Sequence, residues 1–273
     1  MNHPKDMLQR HGLTPKKSLG QNFLFDENVL WRIVKAADVT ADDHVLEIGP
    51  GLGSLTTLLA QTAVSVTAVE LDNRLLPILQ KELSPYDNVT IIPGDILAQN
   101  PANLFTEPYK VVANVPYYIT GAILRHLLSA QNKPTVIVLT VQKEVADRIT
   151  AVPPHMSLLA VSSQFYGSVE RVGVLKAGAF WPRPDVDSAI IRLDLNQAAI
   201  PDADFEKLFF RLAKAGFSQK RKQLRKNLRQ LGYNNAEIDT ILDQANIDST
   251  RRAQTLTIAE WKSLTRKVAA IKS

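Results

Sequence analysis

The chain has 273 residues, 45% hydrophobic and 22% charged, with a net charge of +5. That is globular composition, enough for one large core and a smaller one. The absence of cysteine excludes disulfides, thiolate metal ligands and a cysteine nucleophile. No window approaches eighteen uncharged apolar residues and the first twenty carry no apolar leader core, so the expectation is a cytoplasmic protein without a membrane span.

Residues 1–25 read as irregular, and helical spacing begins at Asp26 with ENVLWRIVKAADV. From Asp43 short apolar runs alternate with helical stretches: HVLEIG, VSVTAVEL, NVTIIPGD, YKVVANV, PTVIVLTV and later SAIIRLDL. Continuous Val, Ile and Leu runs between helices predict parallel strands buried on both faces. The expected fold is therefore α/β, a Rossmann-like, mostly parallel, doubly wound sheet. SQFYGSVERVGVL and DSAIIRLDL read as a hairpin-like addition, separated by the Pro-rich AFWPRPDVDS.

QAAIPDADFEKLFFRLAKAGF opens on Pro and Asp and turns helical, with no strand-like run after it. A domain boundary is expected near residue 200, giving an α/β body over 1–199 and a small all-helical domain over 200–273. Charge divides at the same place. Residues 1–199 hold 17 Lys and Arg against 19 Asp and Glu, and residues 200–273 hold 15 against 8. A basic section of this kind fits a polyanionic partner, nucleic acid foremost, and equally fits a solubilising surface.

The ends of four successive strands carry the chemistry. HVLEIGPGLGSLTTLLA is a strand, a glycine turn and a helix start, in which Gly49, Gly51 and Gly53 let backbone amides approach a ligand. Glu70 ends the next strand, at a spacing that suits a carboxylate accepting from ribose hydroxyls. The GxGxG spacing and the preceding Glu47 argue against a nicotinamide dinucleotide. Asp95 ends the third strand, where it reads either as a helix cap before ILAQN or as a second ligand acid. Together these ends fit an adenosine-containing cofactor, with S-adenosylmethionine favoured by what the fourth strand carries.

That fourth end is NVPYYIT. Taken alone it is a β-turn with proline at its corner. Taken with the three ends before it, it provides the groups that methyl transfer to an exocyclic adenine nitrogen requires. The N6 lone pair is delocalised into the ring. A site must favour the rehybridised nitrogen and align it with the sulfonium methyl. The Asn114 amide oxygen and the Val115 carbonyl can accept the two N–H bonds, Pro116 stiffens the loop, and Tyr117 offers a flat face to an extruded base. The sulfonium is already activated, so positioning and electrostatics can supply most of the rate, and no metal is required. Tyr118 receives no role and reads as core.

KKSLGQNFL, LEIGPGLGSLT, VELD, GDIL, NVPYYI and FWPRPDVDSAIIRL together resemble the rRNA adenine N6-dimethyltransferase family, nearest its bacterial small-subunit branch. The motifs lie in the family's order over nearly the whole chain. The resemblance implies that the N-terminal segment 1–25 closes over the cofactor through Asn22 and Leu24. It implies that Gly49 and Gly51 contact the methionine part, Glu70 the ribose and Asp95 the adenine amino group, and that Asn114 lies between cofactor and substrate. Phe180 would stack on the target adenine opposite Tyr117; by composition Phe180 and Trp181 read equally as aromatic core beside a Pro turn. The family more often has Leu at position 115, a departure of little consequence for a residue acting through its backbone.

The implied reaction is dimethylation of N6 on two adjacent adenosines near the 3′ end of 16S rRNA, with S-adenosylmethionine as donor, no metal, and a part in small-subunit biogenesis. The partner is the small ribosomal subunit, and nothing demands more than a monomer. Alternatives are a large-subunit rRNA methyltransferase of the macrolide-resistance type, or an assembly factor that only binds. PDVDSAIIRL and the signatures FSQKRKQLRKNL and RRAQTLT favour the small-subunit branch; the intact glycine loop, Glu70, Asp95 and NVPY favour catalysis.

FSQKRKQLRKNLRQLG carries Lys220, Arg221, Lys222, Arg225, Lys226 and Arg229 with no acid among them. Phe217, Leu224, Leu228 and Leu231 fall at helical spacing, leaving a cationic face. Such a face is either simply solvated or holds phosphates in a sequence-independent, salt-dependent way. Arg251 and Arg252 extend the candidate RNA surface.

Overall fold

The computed structural model describes residues 3–195 and 202–272. In chain order the elements begin with α1 (Pro4–Arg10), β1 (Phe23–Leu24), α2 (Glu27–Ala36), β2 (His44–Ile48), α3 (Ser54–Ala60) and β3 (Ser65–Glu70). They continue with α4 (Leu76–Leu83), β4 (Val89–Pro93), α5 (Pro101–Leu104), β5 (Tyr109–Asn114), α6 (Thr120–Ser129), β6 (Val136–Gln142) and α7 (Lys143–Ile149). Then come α8 (Leu158–Gln164), β7 (Gly167–Leu175), β8 (Phe180–Trp181), β9 (Ser188–Leu195), α9 (Ala203–Gly216), α10 (Leu224–Leu228), α11 (Asn235–Gln244) and α12 (Ile258–Lys272).

Seven strands form one sheet in the order β4-β3-β2-β5-β6-β9-β7. The pairs among β2, β3, β4, β5 and β6 are parallel, and β9 runs antiparallel to β6. The apolar runs explain the centre: Val45, Leu46, Val111, Val112, Ile137, Val138 and Leu139 have no accessible surface. Burying each such side chain contributes roughly 1.5–3 kcal/mol. Strand order reverses between β2 and β5, because β3 and β4 were laid to one side and β5 and β6 to the other. This switch point opens a crevice at the carboxyl ends of the strands, the place where open α/β sheets bind ligands.

The chain folds as two compact units, Met1–Ala146 with Ser168–Leu195, and Asp147–Gly167 with Asn196–Ser273. The expected boundary near residue 200 lies at residues 196–201, outside the described residues. What the linear reading could not provide is the assignment of 147–167 to the helical unit. Phe165 explains it, since its ring packs 4.3 Å from Phe209 and 5.1 Å from Phe210, while the Tyr166 hydroxyl donates to Glu206 at 2.6 Å. Apart from Gly167, where β7 begins, the regular elements in the described part of the second unit are all helices. Its centre is the fully buried Trp261, stacked on Phe217.

Two expectations are corrected. Residues 1–25 are not wholly irregular, because α1 forms at Pro4, with His3 accepting from the Lys5 amide as its cap and Met7 and Leu8 buried. A seven-residue helix is too short to show a period, and proline at the first helical position was its only sequence signal. The basic segment is not one helix either. Residues 217–223 form a turn, and only α10 and a following 3₁₀ turn are helical. The apolar pattern is still honoured, with Leu224 and Leu228 buried.

Candidate active site

The cleft at the switch point is walled by the ends of β2, β3, β4 and β5 and roofed by the segment that leads into β1. Of the residues expected at the site, Asn22, Leu24, Gly49, Gly51, Glu70, Asp95, Asn114, Val115, Pro116, Tyr117 and Phe180 line it, whereas Gly53 does not and its amide donates to the Pro50 carbonyl at 3.0 Å.

The floor is the turn after β2. Gly49 and Gly51 adopt φ of +68° and +61°, values that side-chain-bearing residues rarely take. The Gly49 amide donates to the Val69 carbonyl at 2.9 Å, and the Gly51 amide donates to Glu70 Oε2 at 3.0 Å. Glu70 Oε1 accepts from the Asp72 amide at 2.7 Å. The Glu70 carboxylate thus holds the loops after β2 and β3 in place and keeps lone pairs to spare, since a carboxylate offers about four acceptor positions. Burial raises its pKa, and the backbone donors, the Asp72 and Gly51 amides foremost, oppose the rise.

Of the two readings left open for Asp95, the structure shows the helix cap. Its side chain accepts from the Leu97 amide at 2.9 Å as a cap, and it also lines the cleft. The apolar neighbours of these two acids were missed. Leu71 and Ile96 line the same wall, and Leu71 is 45% exposed. The signal available was an apolar residue directly after each strand-end acid.

Glu47, used in the sequence only to argue against a dinucleotide, is 1% exposed and lines the cleft. Burial pushes its carboxyl up to about 8, so it is neutral through most of the physiological range. Neither its Oε2 nor the neighbouring Thr56 hydroxyl makes a hydrogen bond. It is an orphaned polar atom at the edge of a ligand-sized space.

The roof is stitched down at four points. Gln21 donates to Asp72 Oδ2 at 2.8 Å, and Asp72 is held at about 2 by the Arg74 guanidinium. The Asn22 carbonyl accepts from Asn114 Nδ2 at 3.2 Å. β1 pairs antiparallel with β8 in the register Phe23↔Trp181 and Leu24↔Phe180, and the Phe25 amide donates to the Ala179 carbonyl at 3.2 Å. Two residues singled out separately, Leu24 and Phe180, are therefore strand partners, a relation that a separation of over 150 residues conceals.

At the fourth wall Asn114 is the last residue of β5. Its Nδ2 donates to the Asn22 carbonyl, and separately its Oδ1 accepts no hydrogen bond among the described residues. Val115 is buried, and Pro116 starts a 3₁₀ turn over Tyr117–Ile119. The Tyr117 hydroxyl is fixed against Ser188 at 2.7 Å, and burial raises its pKa. Phe180 is 3% exposed, so it belongs both to the core and to the cleft wall. Tyr118, expected as core, is 65% exposed at the rim. Divergence of neighbouring side chains around a 3₁₀ turn sends one ring inward and the next outward.

In the helical unit Lys220, Arg221, Lys222, Lys226, Arg229 and Arg252 are exposed. Arg225 and Arg251 are not free cations. Arg225 donates to Asp239 at 2.5 Å, and Arg251 pairs with Glu260 and the Thr255 carbonyl. The acids lie 14 and 9 residues downstream, outside the window in which the basic run looked unpaired. Among the described residues no group of three or more His, Asp or Glu is arranged to hold a metal, and no helix is long and apolar enough to cross a membrane.

The sheet order, the cleft and its strand-end residues define a methyltransferase of the Rossmann-like class. The chain belongs to the ribosomal RNA adenine dimethylase family, whose model matches residues 12–264. A protein of Dehalococcoides mccartyi strain 195, "Ribosomal RNA small subunit methyltransferase A", is 45% identical over 97% of this chain and 92% of its own length. One of the same name from Bacillus pumilus is 43% identical over 95% and 93%. Among solved structures, the 23S rRNA methyltransferase ErmE superposes with a TM-score of 0.76 at 29% identity, covering 91% of this chain and 100% of that one. A dimethyladenosine transferase from Plasmodium falciparum shares the fold, with a TM-score of 0.78 at 24% identity over 89% and 95%.

Proposed function

We propose that this enzyme transfers methyl groups from S-adenosylmethionine to N6 of two adjacent adenosines near the 3′ end of small-subunit rRNA, giving N6-dimethyladenosine. The observation that carries the reading is the Asn114 amide. Its nitrogen donates one hydrogen bond to the Asn22 carbonyl, which orients the group, and its oxygen is left open in a cleft whose other walls bear a glycine turn and two acids. The choice of the small subunit is supported by the names of the relatives.

The residues present fit the cofactor. Glu70 has acceptor positions left for ribose hydroxyls, and Asp95 has a carboxylate oxygen left for an adenine amino group. Leu71 and Ile96 supply apolar surface beside them. The orphaned Glu47 Oε2 and the turn at Gly49 and Gly51 face the remaining space. When bound, the cofactor supplies a methyl group on an activated sulfonium. Asn114 Oδ1 and the Val115 carbonyl accept the two N6–H bonds for the first transfer and hold the nitrogen lone pair toward the methyl; one N–H remains to be held for the second, and each transfer releases one N6 proton. Tyr117, fixed by Ser188, and Phe180 confine the adenine plane. Gln21, Asn22 and Leu24 hold the roof closed and keep water out. Lys220, Arg221, Lys222, Lys226, Arg229 and Arg252 serve as phosphate contacts, while Arg225 and Arg251 support the fold beneath them.

Methyl-label transfer to unmethylated small subunits tests the chemistry. The unsubstituted protein should label them, and Asn114→Ala should lose about 10²-fold or more, as removal of one positioned transition-state hydrogen bond does, while still binding the cofactor. Full activity of Asn114→Ala would refute the role given to the amide.

A further inference from the structure

Tyr118 is unlike the other aromatic residues of the cleft. It is the aromatic side chain among the described large hydrophobics that stand exposed, at 65%, and it sits at the cleft rim one residue beyond the half-buried Tyr117. Its hydroxyl has no hydrogen-bond partner among the described residues. One side of the ring rests on the roof: a Cβ built on Gly20 would lie 3.4 Å from its Cε1 and 3.5 Å from its Cδ1, and 3.3 Å from Pro116 Cβ. Gly20 has φ of +61° and no side chain, so the ring lies against bare backbone there. One edge of the ring, at Cδ1 and Cε1, thus rests against Gly20, and most of the residue's surface is exposed.

Folding leaves that open surface in water, although a tyrosine is a large apolar body. RNA chemistry explains what the surface is for. An adenosine can reach Asn114 only if it is extruded from its strand, and extrusion removes a stacking partner from the nucleotide beside it. Aromatic side chains replace that stacking without regard to base identity. We infer that the Tyr118 ring is a platform on which the nucleotide next to the extruded adenosine stacks, so that the strand is held at the rim while the target base occupies the cleft. The inference rests on the functional reading above and assigns the rim a share of substrate recognition that the cleft interior does not supply.

Three variants test it against unmethylated small subunits: Tyr118→Ala, Tyr118→Phe and Tyr118→Trp. Removing the ring should raise KM for the subunit by roughly five- to a hundredfold, the range base–aromatic stacking supports, with a smaller change in kcat. The Phe and Trp variants should stay within about twofold of the unsubstituted protein, since a ring and not a hydroxyl is required. Cofactor affinity, measured by calorimetry without RNA, should be unchanged in all three. Wild-type kinetics in Tyr118→Ala would overturn the inference alone. So would a Phe variant as impaired as the Ala variant, or a fall in cofactor affinity matching the rise in KM, which would make the ring a mere prop for the roof. Failure of the unsubstituted protein to methylate subunits would overturn the functional reading, and this inference with it.

Discussion

At the scale of single residues, the site is built from groups that hold one another in a defined state before any ligand arrives. Glu70 is kept by two backbone amides, and Asn114 has its orientation set by Asn22. Glu47 is the contrast. It is buried beside Glu70 and faces the Thr56 hydroxyl, and its carboxyl is raised from 4.5 to about 8 chiefly by burial. An acid whose folded pKa is raised takes up a proton more readily folded than unfolded, so it lowers stability progressively as pH climbs from about 4.5 to about 8. Glu47→Gln keeps the shape without the ionisation. It should therefore raise Tm at pH 8.5 by about 2–4 °C or more and leave Tm nearly unchanged at about pH 4, as scanning calorimetry can check. An equal shift at both pH values would show that the Glu47 charge plays no part.

At the scale of elements, the strand ends were legible and the roof was not. The runs that form β2, β3, β4 and β5 lead in turn into Gly49, Glu70, Asp95 and Asn114, so their chemistry could be read in register with their secondary structure. β1 and β8 have two residues each and pair across most of the α/β unit, which leaves no local pattern to read. The same limit hid α1 and made Arg225 and Arg251 look free, since the acids that neutralise them arrive from elements further along. The basic turn over 217–223 has as its exposed cations Lys220, Arg221 and Lys222, whose crowding a bound polyanion would relieve. Replacing those three with alanine should weaken binding to small subunits and reduce the slope of log affinity against log salt by about 2–3, close to 0.7–0.9 for each phosphate that is no longer neutralised. A filter-binding titration across salt concentrations measures it, and an unchanged slope would make the turn a solvated surface only.

At the scale of the whole molecule, the sequence and the structure converge on one cleft from different directions. Composition and periodicity point to a doubly wound sheet, the sheet order puts a switch point between β2 and β5, and Asn22, Leu24, Gly49, Gly51, Glu70, Asp95, Asn114, Tyr117 and Phe180 all line that opening. Tyr118 shows where pattern reading stops, because nothing in NVPYYIT distinguishes the inward ring from the outward one until the 3₁₀ turn is seen. The family fixes the type of reaction, and the remaining claim concerns where on the ribosome the methyl groups go. The most direct measurement incubates the protein with labelled S-adenosylmethionine and unmethylated ribosomal subunits of both sizes, then maps the labelled nucleosides along the RNA. N6-dimethyladenosine is expected at two adjacent positions near the 3′ end of small-subunit rRNA. Label on large-subunit rRNA, at a single isolated adenosine, or on neither RNA would contradict it.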